Sequence, residues 1–265
     1  MSRILLPFDP ARDGFSFSNS FAWTEADLAH LTRRLRPVSS AAVALVGAGA
    51  GRMSGRASVG TVAGGVLGGI GAADGLVRTL ARQWPTFGLC GGMALAAVER
   101  WEAKSPTPAS ALEKDAVRPL LRRRQAETLR RSLGRFGREW ALARWDGTEH
   151  PPLGAALVQE VRLAEHRLGA GHPVILGLVG DAPDPFANHQ VVAFGIERGE
   201  GPAEATFSVY DPNAPGVTRH VRTGLAPHDP RRTAITTDLP TGRRASGRCH
   251  LSTRPGWLAS VFVVM

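Results

Sequence analysis

The chain has 265 residues, a formal net charge of +9 and a hydrophobic fraction of 43%, which is ordinary for a globular protein. This length can bury a substantial core and allows one large domain or two small ones. The positive charge comes almost entirely from arginine, since only Lys104 and Lys114 are lysines. The basic stretches lack the motifs and aromatic interleaving of nucleic-acid-binding proteins, so we expect no nucleic-acid partner.

The cysteine content is low and carries no metal or disulfide pattern. Cys90 and Cys249 form neither a CxxC pair nor a Cys/His spacing typical of a metal site. The N-terminal apolar run is short and is broken by Pro7 and Asp9, so it does not resemble a secretory signal. We expect a reduced, cytoplasmic protein without a metal or cofactor, with delivery as an effector as the alternative.

The first predicted elements are an extended segment and a capped helix. Residues 13–23 alternate apolar and polar side chains, a pattern typical of extended backbone. Thr24 then precedes acidic residues, and arginines follow before Pro37. This pattern predicts a helix over residues 24–36, with a capping residue at its start and arginines and a proline at its end.

Residues 38–78 form a Gly/Ala-rich insertion in which small residues dominate over 41–77. Glycines recur four residues apart, a spacing that lets helix backbones approach closely. Arg52 and Arg56 interrupt the apolar run, and the uncharged part is short for a membrane span. We interpret the insertion as a loop or a close-packed helical hairpin on the domain. A mobile lid and a membrane-contacting element are the less favoured alternatives.

The next predicted elements are a helix over residues 90–103 and a basic helical region over residues 109–146. Apolar residues of the basic region form one predicted stripe: Leu120, Leu121, Leu129, Leu133, Phe136, Trp140 and Leu142. Arginines cover the other faces, which indicates a surface helix with a solvated charged face. Binding of an anionic partner or membrane surface is the alternative interpretation.

Strand patterns concentrate after residue 170. A helix is predicted over residues 152–171, and apolar, β-branched runs follow it. These runs predict strands at 172–180, 188–199, 204–216 and 257–265. Because helices precede strands instead of alternating with them, the sequence predicts an α+β fold with an antiparallel sheet. No linker divides the chain, so we expect a single domain over residues 1–265.

Three chemistry-bearing residues lie at the ends of predicted elements. Cys90 opens a helix, His189 begins an apolar strand, and Asp211 ends the following strand. Adjacent antiparallel strands bring the start of one beside the end of the next. We therefore expect His189 and Asp211 to be neighbours across a hairpin.

These residue types suit nucleophilic catalysis. A helix N-terminus stabilises a thiolate, an imidazole takes and returns the thiol proton, and a carboxylate fixes the imidazole tautomer. We interpret Gly91 and Gly92 as leaving room for a substrate beside Cys90. The N–H of Cys90 is one candidate oxyanion donor, and the side-chain amide of Gln83 is a second.

Four segments together resemble the papain-like cysteine peptidase superfamily, in its bacterial branch of bacteriocin-leader-processing and related peptidases. They are Gln83 with WPTFGLCGGM, then GAGHPVILGLV, NHQVVAFGI and VYDPN. The resemblance implies a papain-like fold, with a helical N-terminal half that carries the nucleophile at a helix start, packed on a C-terminal antiparallel sheet. It also implies Cys90 as nucleophile, His189 as general base, Asp211 as orienting acid and Gln83 as oxyanion donor. Asn19 is the alternative oxyanion amide, and residues 41–77 have no counterpart in the family.

Two functions follow from these patterns. The first is a cysteine-dependent hydrolase acting on an amide or thioester of a peptide or protein, with acyl transfer and deamidation as variants of the same chemistry. The second is a non-catalytic papain-like binding or scaffold module. That module would engage a partner or an anionic membrane through the basic helix and the Gly-rich segment.

Overall fold

The computed structural model describes residues 2–35, 78, 81–82, 86–142, 153–180, 188–227, 229–239 and 258–264. The predictions for Gln83, for Cys249 and for nearly all of the Gly/Ala-rich insertion lie outside the described residues.

The helices form where the capping residues and apolar periodicity predict them, except for the four-residue helix Pro10–Asp13, which the sequence patterns missed. They are α1 (Pro10–Asp13), α2 (Glu25–Leu35), α3 (Cys90–Glu102), α4 (Lys114–Leu142) and α5 (Leu153–Gly169), with a 3-10 turn at Ala109–Ala111. Thr24 and Asp27 cap α2 reciprocally. The Asp27 N–H donates to the Thr24 hydroxyl at 3.2 Å, and the Thr24 N–H donates to the Asp27 carboxylate at 2.9 Å. This exchange satisfies N–H groups that the helix leaves free.

The strands form a seven-stranded antiparallel sheet, mostly from the C-terminal part of the chain as predicted, and two separate two-stranded sheets. They are β1 (Arg3–Leu5), β2 (Phe21–Ala22), β3 (Thr86–Phe87), β4 (Val174–Gly180), β5 (His189–Arg198), β6 (Ala205–Tyr210), β7 (Thr218–Thr223), β8 (Leu225–Ala226), β9 (Asp229–Thr233), β10 (Thr236–Thr237) and β11 (Leu258–Val263). The main sheet runs β10-β7-β6-β5-β4-β11, and β1 pairs with the second half of β5. The sequence patterns missed β1, β7 and β10. In the segment 13–23, only Phe21–Ala22 forms a strand, paired with β3.

The sheet is covered by helices on both faces, and successive side chains of β5 point alternately to the two faces. Val191 and Ala193 join the apolar cluster under α5, whereas Val192 and Phe194 join the cluster under α3. Burial on both faces accounts for the nearly continuous apolar sequence of β4 and β5. The fold is therefore α+β, and its layers place the start of α3 against β5.

The predicted apolar stripe of α4 is partly wrong. Leu121 and Phe136 are buried as expected, but Leu129 and Leu133 are exposed. The buried face instead carries polar residues at helical spacing: Thr128, Ser132 and Glu139. Thr128 and Ser132 each donate their hydroxyl to a carbonyl one turn back in α4, which satisfies a hydroxyl where water is excluded. Their hydrogen bonds need no partner from another element.

Many arginines of α4 are used in ion pairs within the domain. Arg118 and Arg122 contact the buried Asp27 at 2.9 and 3.2 Å, and Arg124 contacts Glu99 at 2.8 Å. These pairs join α4 to α2 and α3, so this part of the predicted charged face is not simply solvated. Within the described ranges, we find no helix with both the length and the apolarity needed to cross a membrane.

Glu160 of α5 joins two layers of the fold and should be important for stability. One carboxylate oxygen accepts the N–H of Val263 in β11 at 2.7 Å, and the other accepts a hydrogen bond from Arg135 of α4. We expect Glu160→Ala to lower the free energy of unfolding by about 3 kcal/mol, because it leaves a partly buried guanidinium and a buried N–H without this acceptor.

Urea denaturation of the Glu160→Ala variant measures this loss. Glu197→Ala is the matched control, since Glu197 is exposed on β5 and its side chain makes no ion pair with any described residue. Equal stability of the two variants would contradict the role of Glu160.

Candidate active site

Cys90 lies at a helix start where its sulfur is surrounded by N–H donors. It is the first residue of α3 and is half-buried. Leu89 holds the cap position without a side-chain cap hydrogen bond, so the first N–H groups of the helix are available to other acceptors. The backbone N–H groups of Gly91 and Gln190 donate to the sulfur. These donors and the helix dipole both favour the thiolate over the thiol.

The two glycines after Cys90 are required by packing inside the protein, so our interpretation that they leave room for substrate is wrong. Both are buried. A Cβ on Gly91 would lie 2.4 Å from the hydroxyl oxygen of Thr128 in α4, and a Cβ on Gly92 would lie 2.1 Å from the carbonyl oxygen of Leu121 in α4. The glycines therefore let α4 approach the first turn of α3.

His189 and Asp211 lie together at one end of the sheet. His189 is the first residue of β5, and Asp211 directly follows the last residue of β6. The register of these two strands pairs Val192 with Tyr210, which brings the start of β5 to the end of β6. The Nε2 atom of His189 lies 2.6 Å from Oδ1 of Asp211, and both residues are buried. The hairpin juxtaposition predicted from the sequence is present.

The imidazole of His189 is held between the carboxylate and the thiol. Its Nε2 atom makes the hydrogen bond with Asp211, and the ring also interacts with the side chain of Cys90, which contributes to the raised pKa of His189. A carboxylate at 2.6 Å requires a proton on Nε2. Nδ1 is thus the ring nitrogen left to exchange a proton with the sulfur.

Charge complementarity shifts both members of the Cys90–His189 pair toward their ionised forms. For His189, burial opposes protonation, but the charges of Asp211 and of the Cys90 thiolate outweigh it and raise the imidazole pKa to about 10. For Cys90, burial raises the thiol pKa, but the positive charge and hydrogen bond of His189 outweigh it and hold the pKa below its ordinary value. These opposite shifts favour the thiolate–imidazolium pair over the neutral thiol–imidazole pair.

Gln83, the predicted oxyanion donor, lies outside the described residues, whereas the alternative amide of Asn19 is at the site. Asn19 Oδ1 accepts a hydrogen bond from the N–H of Leu89, the residue before Cys90. Among the described residues, no acceptor takes the N–H of Cys90 itself. That N–H is consequently available to an oxygen placed beside the sulfur.

Asn213 is a site residue that the sequence patterns missed. Its backbone N–H donates to Oδ1 of Asp211 at 2.8 Å, and its side-chain Nδ2 lies 3.2 Å from Nε2 of His189. The segment VYDPN contains both Asp211 and Asn213, but an asparagine after Asp-Pro is equally typical of a turn. Its place beside the imidazole depends on the strand register, which local sequence does not reveal.

Tyr210 anchors the segment that carries Asn19. Its hydroxyl oxygen accepts a hydrogen bond from the backbone N–H of Phe15 at 3.0 Å. Its ring packs against Gly14, where an added Cβ would lie only 2.5 Å from a ring carbon. The Asn19 N–H donates to the carbonyl of Pro212 at 2.9 Å. The N-terminal segment is therefore fastened to the end of β6 next to Asp211.

Comparisons of the chain with protein-family models, with curated proteins and with solved structures found no match. Within the described ranges, no three His, Cys, Asp or Glu side chains converge in a way that could hold a metal ion. The functional assignment accordingly rests on the chemistry of Cys90, His189 and Asp211.

Proposed function

We propose that this protein is a cysteine-dependent acyl hydrolase of papain-like architecture, acting on an amide or thioester carbonyl of a peptide or protein. The observation that carries the proposal is the place of the His189 ring, which interacts with the Cys90 side chain and makes a 2.6 Å hydrogen bond with the Asp211 carboxylate. A nucleophile, a base in contact with it and a group that orients the base are the parts that acyl transfer requires.

The proposed reaction uses each group at a named atom. The Cys90 thiolate forms a bond to the carbonyl carbon, and the negative charge that develops on the carbonyl oxygen is stabilised by the N–H of Cys90. His189 gives its Nδ1 proton to the leaving amine or thiol as the carbonyl–heteroatom bond breaks. Water then attacks the thioester carbon while His189 takes its proton, and the carbon–sulfur bond breaks, which releases the carboxylic acid and restores the Cys90 thiolate. Asp211 holds the imidazolium throughout.

Two further observations favour this function over a purely scaffolding one. Asp211 is fully buried, and its carboxylate faces the ring of a buried histidine. Burying a charged pair costs free energy that packing alone does not require, and such pairs concentrate at functional sites. In addition, several α4 arginines that a binding module would use are engaged within the domain.

The proposal predicts an unusual pH dependence for alkylation of Cys90. Its thiol pKa is lowered, so the thiolate is lost only when the pH falls through that lowered value. The His189 pKa is raised to about 10, so the imidazolium persists until the pH rises through about 10. We expect the rate of reaction with iodoacetamide to reach its plateau at a lower pH than the rate of an ordinary thiol, which rises up to its pKa of about 8.5, and to stay on that plateau up to about pH 9.

This experiment is best done on a Cys249→Ser background, with the rate followed by intact mass. The urea-denatured chain is the control, because its Cys90 lacks the imidazole and should titrate as an ordinary thiol. A native-state rate that rises tenfold per pH unit up to about pH 8.5 would contradict the proposed thiolate–imidazolium pair.

A further inference from the structure

We infer that Asn19 is a positioning residue that sets the separation between the Cys90 thiol and the His189 imidazole. This inference rests on the proposed function, because it assigns Asn19 a role in the same site. The two reacting groups come from distant parts of the chain, the start of α3 and the end of the β5–β6 hairpin. Asn19 contacts both parts.

On the side of the nucleophile, the Asn19 amide touches the two residues before Cys90. Its Oδ1 accepts the N–H of Leu89. Its Nδ2 lies so close to Gly88 that a Cβ there would be 2.8 Å away. A residue larger than glycine at position 88 would push this amide away, so the approach of Asn19 depends on Gly88.

On the side of the base, Asn19 is joined to the loop that follows β6. Its backbone N–H donates to the carbonyl of Pro212 at 2.9 Å, and its Nδ2 donates to Oδ1 of Asn213 at 3.3 Å. Asn213 in turn donates its own N–H to Asp211, and its side chain lies beside Nε2 of His189. Asn19 is therefore two contacts away from the imidazole.

The orientation of the two amides follows from hydrogen-bond chemistry. An N–H group needs an acceptor, so the Leu89 N–H requires the oxygen of Asn19 to face it. The nitrogen of Asn19 must then face Asn213, which requires the oxygen of Asn213 to face Asn19. The order of donors and acceptors is thereby fixed from Leu89 to Asn213.

Loss of the Asn19 side chain should weaken the thiolate–imidazolium pair without removing either member. The loop before Cys90 and the loop after β6 would lose the amide that lies between them. Small displacements of reacting groups have large effects, and a longer sulfur–imidazole distance reduces the attraction that stabilises the thiolate. We expect Asn19→Ala to raise the midpoint of thiolate formation at Cys90 by about one pH unit or more, a tenfold change in its ionisation constant.

The test is a pH titration of thiolate ultraviolet absorbance on the Cys249→Ser background, for the parent, Asn19→Ala, Asn213→Ala and the double variant. The two single variants should each raise the midpoint of thiolate formation. The double variant should raise it by less than the sum of the two shifts, because each single variant already removes the contact between Asn19 and Asn213. Ser18→Ala is the matched control, since Ser18 is exposed next to Asn19 and makes no side-chain hydrogen bond to any described residue. Its midpoint should equal that of the parent.

The outcomes separate this inference from the proposed function. If the parent titrates as an ordinary thiol, the proposed function fails and this role fails with it. If the parent midpoint is low and Asn19→Ala does not change it, only the role of Asn19 is overturned, whatever Asn213→Ala does. Should Asn19→Ala fail to fold, Asn19→Leu decides the question, because it keeps a side chain of similar size and removes both amide hydrogen bonds.

Discussion

Cys90→Ala is expected to abolish acylation of the protein by an activated ester such as p-nitrophenyl acetate. The sulfur that forms the acyl bond is absent in this variant, so no p-nitrophenolate burst should occur. His189→Ala is expected to slow turnover by about 10²- to 10⁴-fold near neutral pH, because both the imidazolium that stabilises the thiolate and the base that activates water are lost. Stopped-flow absorbance and intact mass of the acyl adduct measure these two effects.

The matched control for this experiment is His166→Ala on the Cys249→Ser background. His166 lies on the exposed face of α5, so its removal should leave both the burst and the turnover unchanged. A burst that survives in Cys90→Ala would show that the acyl group resides on another residue. The nucleophilic role of Cys90 would then be wrong.

Gly92→Ala is expected to destabilise the packing of α3 on α4 strongly. The added Cβ would lie 2.1 Å from the carbonyl oxygen of Leu121, and backbone cannot rotate away as a flexible side chain can. We expect the free energy of unfolding to fall by about 3 kcal/mol, because α3 and α4 must separate to admit the methyl group. Urea denaturation, with midpoint and slope compared with the parent, measures this loss.

Gly134→Ala is the matched control for Gly92→Ala. Gly134 lies within α4, and a Cβ there would meet no atom within 4 Å. The same substitution should therefore raise the free energy of unfolding by about 0.5 to 1 kcal/mol, the ordinary gain of alanine over glycine in a helix. If Gly92→Ala were as stable as Gly134→Ala, the close packing of α3 on α4 would be contradicted.

Local sequence patterns predicted the elements that carry the site. Thr24 marks the start of α2 because its hydroxyl and the Asp27 carboxylate cap one another within four residues. The start of α3 at Cys90 has a different signal, because no side chain caps this helix and only the apolar pattern that follows Cys90 indicates it. The strands of Val174–Gly180 and His189–Arg198 follow from their length and β-branched content.

Long-range contacts explain the elements that were missed or misread. β1 consists of only three residues and forms because β5 offers it a free edge, which no pattern near residue 3 could indicate. In α4, the leucines at 129 and 133 suggested the wrong face. A polar residue such as Ser132 occupies the buried face because its own helix supplies its hydrogen-bond acceptor.

The sequence by itself determined which residues could form the candidate site. Cys90, His189 and Asp211 are recognisable because each has a reactive side chain at the boundary of a predictable element. The tertiary structure decided how these residues meet, because strand register and helix packing join segments far apart in the chain. It placed Asn19 and Asn213 between the two halves of the site, and it gave Gly91 and Gly92 a packing role that local sequence could not distinguish from an open substrate path.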